Sequence, residues 1–204
     1  MRTAAWLRLT GVPADAARKT WRELDRHGCA TLYVDGDLSL CAALAVETTT
    51  ARICCFVPLG RPEHVLAGAR TVQYLSAGRF TLGLRPADDD DGPFGSVTGC
   101  ARLAEEVRAV LGPLPITVAG TGRGSVRLAA EFATCWQTTD VPGEPDALAA
   151  HCAEFGRPVP ERSVVTTGAR RCEVAADEVV LPVDRPLTGA EFLGTAGLVT
   201  GRNW

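Results

Sequence analysis

Short apolar runs of strand length alternate with segments whose apolar residues recur every three or four positions, from one end of the chain to the other. Such alternation points to a parallel sheet with helices packed outside it. The pattern predicts strands over 4–9, 30–34, 52–57, 79–84, 116–119, 134–138, 163–167 and 178–183. It predicts helices over 14–27, 38–48, 62–75, 101–111, 126–132 and 145–155, and a further helical candidate over 188–199. Ala16, Ala17, Trp21 and Leu24 share one helical face, and Gly28 stands where a glycine ends a helix. Pro62 opens its helix in the first turn, where a missing amide costs nothing. The run Ile53-Cys54-Cys55-Phe56-Val57 is apolar on both faces, as an interior parallel strand should be. About ten residues separate the last two strands, and a crossover with its helix needs at least about 10–12. The seventh helix is therefore expected to be reduced or missing.

Length and charge narrow the function. A chain of 204 residues that is 46% hydrophobic can bury one substantial core, and no internal linker divides it, so one domain over 1–204 is expected. The net charge of −3 supplies no basic field, which disfavours nucleic acid and anionic membrane as partners. No apolar run is long enough to span a membrane and no secretory leader is evident, so a cytoplasmic protein is expected. The eight cysteines are scattered without a C-x-x-C pair, so they are expected to be buried thiols and no metal site is predicted. The four carboxylates Asp88 to Asp91 fall in a predicted loop and read as a solvated charge run.

The segment 40–85 carries a more specific signal. Leu40-Cys41-Ala42-Ala43-Leu44-Ala45-Val46-Glu47-Thr48-Thr49 leads into the third strand, a helix starts near Pro62, and Leu75-Ser76-Ala77-Gly78-Arg79-Phe80-Thr81-Leu82-Gly83-Leu84 follows. This succession resembles the luciferase-like monooxygenase family of flavin- and deazaflavin-dependent enzymes. The resemblance implies an α/β fold of the TIM (β/α)8 type, here shortened, since such barrels run to about 250 residues. It also implies FMN or a deazaflavin coenzyme and a small organic substrate, reached by hydride transfer or monooxygenation. Family members are often dimers. A barrel short of one helix should also expose part of its sheet, so a homodimer is expected.

Functional groups of such a barrel project from the C-terminal ends of its strands. After the fifth strand, Gly120, Thr121, Gly122, Gly124 and Ser125 form a glycine-rich turn into a helix, where free amides and the helix dipole favour an anion. A purely steric reason for these glycines stands equally well on the residues alone. The resemblance assigns the turn to the phosphate of the cofactor, through the match of Ile116-Thr117-Val118-Ala119-Gly120-Thr121-Gly122 and the helix after it. It makes Arg85 a second phosphate candidate. It also places a bulge and a non-prolyl cis peptide that back the flavin ring among Ile53, Cys54 and Cys55.

The family's histidine after strand two is replaced here by Tyr33-Val34-Asp35-Gly36-Asp37, and His27, His64 and His151 all lie on predicted helices. Proton transfer, if any, would fall to Asp35, Asp37 or Tyr33, although an exposed turn explains Asp-Gly-Asp more simply. Two other readings remain: a flavin-binding or partner protein without turnover, and a cofactor-free isomerase or cyclase using Asp35, Asp37 and Arg85. The redox reading requires that side chains leave the barrel mouth open and that the turn's amides are not capped from within.

Overall fold

The computed structural model describes residues 1–9, 11–87, 95–139, 144–166 and 175–200. In order, the elements are β1 (Arg2–Leu7), α1 (Ala14–Arg26), β2 (Thr31–Asp35), α2 (Leu38–Glu47), β3 (Arg52–Phe56), α3 (Pro62–Leu75), β4 (Phe80–Leu84) and α4 (Val97–Leu111). They continue with β5 (Ile116–Ala119), α5 (Arg123–Phe132), β6 (Cys135–Thr138), α6 (Glu144–Glu154), β7 (Glu161–Val165), β8 (Glu178–Val183) and α7 (Gly189–Thr200). Every strand pairs in parallel with its neighbours, and β1 meets β8 over six residue pairs from Arg2↔Glu178 to Leu7↔Val183, closing the barrel. The expected eight-stranded barrel is found. Among the described residues no helix lies between β7 and β8, as the short separation predicts.

Alternation along each strand divides the core in two. Ala5, Leu7, Leu32, Val34, Ile53, Cys55, Leu82, Val118 and Val179 face outward into the buried layer under the helices. Ala4, Tyr33, Cys54, Phe56, Ala119 and Val180 face the axis.

Burial of the outer layer corrects one expectation. Val164, Val179 and Leu181 on the outer side of β7 and β8 are no more than 3% exposed. Leu148 and Cys152 of α6 and Phe192 and Ala196 of α7 belong to the same buried cluster. Among the described residues, the sheet face around β7 and β8 that was expected to be uncovered is therefore buried.

The N-terminal end of the barrel is tied together by polar clamps, and these explain much of the distinctive 40–85 sequence. Asp25, in the last turn of α1, accepts five hydrogen bonds of 2.7–3.0 Å from the amides of Thr49, Thr50 and Ala51 and the hydroxyls of Thr49 and Thr50. Arg79, just before β4, donates to the carbonyls of Ala45, Thr48 and Ala51 and to the Thr48 hydroxyl, satisfying the end of α2. Three helices, α1, α3 and α6, end in Schellman turns, which bond the last carbonyls of the helix to the two amides beyond it. In α1 the amides of Gly28 and Cys29 reach the carbonyls of Asp25 and Leu24. In α3 those of Ala77 and Gly78 reach Tyr74 and Gln73.

Gly28 has φ +76, whereas the equivalent position in α3 is Ala77 at φ +51. A Cβ is disfavoured in this left-handed conformation. Ala77→Gly is therefore expected to raise stability by about 0.5–1 kcal/mol, seen as a higher urea midpoint. A lower midpoint would refute it.

A second polar cluster fills the axis at the same end. Glu178, 1% exposed, accepts hydrogen bonds from Tyr33 (2.7 Å), Thr31 (2.8 Å) and Ser163 (3.2 Å), and Arg52 lies 3.5 Å away. Arg52 also pairs with Glu161, which Arg2 clamps from β1.

Two helices start earlier than the apolar pattern alone suggests. Ser96 caps α4 by accepting from the Gly99 amide, so the helix begins at Val97. The helix α5 begins at Arg123, which makes Gly122 its N-cap and places Ser125 inside the first turn.

Candidate active site at the barrel mouth

The C-terminal end of the barrel brings together side chains from strands far apart in sequence. Asp35 ends β2 and Arg85 follows β4, and they pair at 2.9 Å. Asp35 also accepts from the indole N–H of Trp6 on β1 at 3.1 Å. The Arg85 guanidinium carbon lies 4.7 Å from the centre of the Trp6 ring and 4.5 Å from that of Phe56 on β3. Phe56 in turn stacks on Tyr33, with centroids 6.0 Å apart and an interplanar angle of 13°. Gly83 is required here, because a Cβ would approach the Phe56 ring to 2.6 Å. An aromatic floor, a guanidinium over it and a carboxylate holding the guanidinium therefore occupy the centre of the mouth.

Free volume lies to one side. A cavity of about 670 Å³ extends from Arg85 and Asp35 past Trp6 and Arg8 to Val12, Trp21 and Leu40, between the ends of β1 and β2 and the helices α1 and α2. Such a volume lies within the range for small-molecule sites. Its walls are mostly apolar, and Arg8, Asp35 and Arg85 are its charged residues.

Across the mouth, the β5–α5 turn bends at Gly120 with φ +137. A Cβ at Gly120 would stand 2.5 Å from the Ser125 hydroxyl, which is buried against it. No side chain caps the start of α5. Its first-turn amides are thus left for an anion, with Thr121 and Arg123 exposed beside them. Gly124 has the steric explanation, since a Cβ there would meet Val97 of α4 at 2.6 Å. Gln137 is 2% exposed on β6 beside Ala119, and its Nε2 has no acceptor among the described residues.

The predicted site residues separate by depth. Asp35, Arg85 and the 120–125 turn lie at the C-terminal end. Asp37 caps α2, accepting from the amides of Ser39 and Leu40. Tyr33 is 1% exposed within the barrel, bonded to Glu178, and its burial pushes the phenol well above its usual pKa. Cys54 and Cys55 are fully buried on opposite faces of β3. Burial likewise holds the Cys54 thiol well above the usual range.

The bulge and cis peptide expected at β3 are absent. The strand keeps an unbroken register with β2 and with β4, and no cis peptide occurs among the described residues. Asp88 to Asp91 and the terminal Arg202-Asn203-Trp204 lie outside the described residues. Sequence reasoning missed Trp6, Arg8 and Phe56. Strand parity would have found them: the step of two from Ala4 leads to Trp6 and Arg8, and from Cys54 to Phe56.

No family model and no curated protein matches the chain. Solved structures do. The coenzyme F420-dependent tetrahydromethanopterin reductase of Methanopyrus kandleri matches with a TM-score of 0.65 at 13% identity, over 82% of this chain and 67% of that one. The monooxygenase RslO1 of Streptomyces bottropensis also matches at 0.65, with 15% identity over 87% and 73%. An F420-dependent secondary alcohol dehydrogenase, solved with an F420-acetone adduct, again gives 0.65, with 13% identity over 81% and 69%. These neighbours are members of the luciferase-like monooxygenase family. The chain shares their barrel fold.

Proposed function

We propose that the protein is an oxidoreductase that uses FMN or a deazaflavin at the barrel mouth to act on a small organic molecule. The observation that carries this reading is the apolar cavity at the C-terminal face, which adjoins an aromatic floor and a fixed ion pair. The neighbours, among them F420-dependent enzymes, support the same chemistry. The residues present fit a phosphorylated, flat cofactor. The start of α5 lacks a side-chain cap, and Gln137 has a buried amide nitrogen without an acceptor among the described residues.

In this reading the amides of residues 123–125 bind the phosphate, and Arg123 adds charge. Trp6, part-buried at the mouth, gives the ring apolar contact and keeps water from it. Asp35 holds Arg85 in place over the aromatic floor. When bound, the cofactor supplies the hydride or electron chemistry.

Flavin binding without turnover is the second reading. Its support is the centre of the mouth, where Arg85 already covers Phe56 and Trp6.

Titration of the purified protein with FMN, riboflavin and a deazaflavin tests both readings. FMN or the deazaflavin is expected to bind at micromolar concentration, with FMN about tenfold tighter than riboflavin, a difference of about 1.4 kcal/mol. Arg123→Glu should abolish that preference. Absence of binding by any of the three sinks both readings, and a bound flavin that no substrate or nicotinamide reduces favours the second.

A further inference from the structure

The side cavity carries a statement about the substrate, which rests on the reading of the mouth as an active site. Two features of its lining ask for a ligand that combines a flat apolar body with a negative charge. The first is Arg8. Its partner at the mouth, Arg85, is neutralised by Asp35, but Arg8 forms no ion pair with a described carboxylate, and Asp184, next to it across β1 and β8, is no exception. Its guanidinium carbon stays 5.0 Å from the centre of the Trp6 ring, so the charge is held at the cavity wall by a cation–π contact.

The second feature is Trp21. It lines the same cavity at 6% exposure, and its indole N–H has no hydrogen-bond partner among the described residues. That nitrogen is itself sealed from the cavity, so what Trp21 offers a ligand is the flat apolar surface of its ring. Between Arg8 and Trp21 the wall is formed by the ring of Trp6 and by Leu9, Val12 and Leu40.

We propose that this cavity is the substrate compartment and that it selects an aromatic or cyclic apolar acid, the carboxylate pairing with Arg8. Arginine suits this task because its planar fork matches a carboxylate and because it stays charged at any working pH. The compartment is distinct from the phosphate turn on the opposite side of the mouth. Cofactor and acid therefore bind together.

Calorimetric titration of the full-length chain with naphthoate and with its neutral isostere naphthamide tests this, with and without saturating FMN. Naphthoate is expected to bind at least about tenfold more tightly than naphthamide. Arg8→Gln should bring the two to parity by weakening naphthoate alone. Arg8 is exposed, so the variant should keep the parent's melting temperature, which is checked alongside. Equal affinity in the parent, an unchanged preference in Arg8→Gln, competition between naphthoate and FMN, or no binding of either compound would each overturn the proposal. If naphthoate binds through Arg8 while no flavin or deazaflavin binds, the cofactor reading fails and the acid compartment stands. Flavin binding without naphthoate binding gives the reverse result.

Discussion

Glu178→Ala is expected to cost about 3–5 kcal/mol of folding stability, read as a drop in urea midpoint at unchanged slope. The reason is the number of groups that a single carboxylate satisfies. Its removal leaves the hydroxyls of Tyr33, Thr31 and Ser163 without their acceptor inside a closed barrel, and each such loss costs about 1 kcal/mol or more. It also takes one of the two carboxylates from Arg52. A domain of this size has about 5–15 kcal/mol in hand, so the variant should be near its limit at physiological temperature. Glu178→Gln keeps an acceptor oxygen and should lose less. A loss below about 1 kcal/mol for the alanine variant would show that the axial cluster contributes little net stability. Because the cluster lies at the N-terminal end, ligand affinity of the folded variant should match that of the parent.

The second large effect belongs to Asp25. Burial alone would raise its pKa, but the hydrogen bonds from Ala51, Thr49 and Thr50 outweigh burial and hold it at about 2. An unfolded aspartate titrates near 4. The folded value is the lower one, so the stabilisation is complete above about pH 4 and is lost as the pH falls toward 2. The loss amounts to roughly 2 kcal/mol over that window. Asp25→Asn should remove this part of the pH dependence and destabilise the protein at neutral pH, because a carboxamide nitrogen would face donors. Acid titration of the urea midpoint in both proteins checks the point. Parallel curves between pH 4 and pH 2 would refute the role.

Most of the barrel was legible in the chain because each element repeats a simple period. The bounds of α3, β5 and β8 follow directly from it. Helix starts set by a single side chain, such as Ser96, are less visible to periodicity than apolar faces are. The signature in the 40–85 segment proves to be architecture. Thr49 and Thr50 serve Asp25, and Arg79 serves the end of α2, all at the end of the barrel away from the mouth. It therefore points to the fold more strongly than to any chemistry.

The mouth was legible only in part. Asp35 and Arg85 could each be picked out by strand position, but their pairing joins residues 50 apart in sequence and depends on barrel closure. Tyr33 and Cys54 show the opposite error. Both lie on strands with the right parity, but one layer too deep, because the height of a residue along the axis depends on register between strands. The indole N–H of Trp21, without a partner among the described residues, cannot be read from sequence, since it depends on how neighbouring elements pack.

The seam between β1 and β8 has a consequence for synthesis on the ribosome. The last strand supplies both the hydrogen bonds that join the two ends of the sheet and, in Glu178, the acceptor for hydroxyls that emerged up to 147 residues earlier. A nascent chain halted before that point would hold an open sheet with two raw edges and an unsatisfied axis, a form prone to self-association. Emergence of β8 is thus the event that lets the sheet close and the axial cluster find its acceptor.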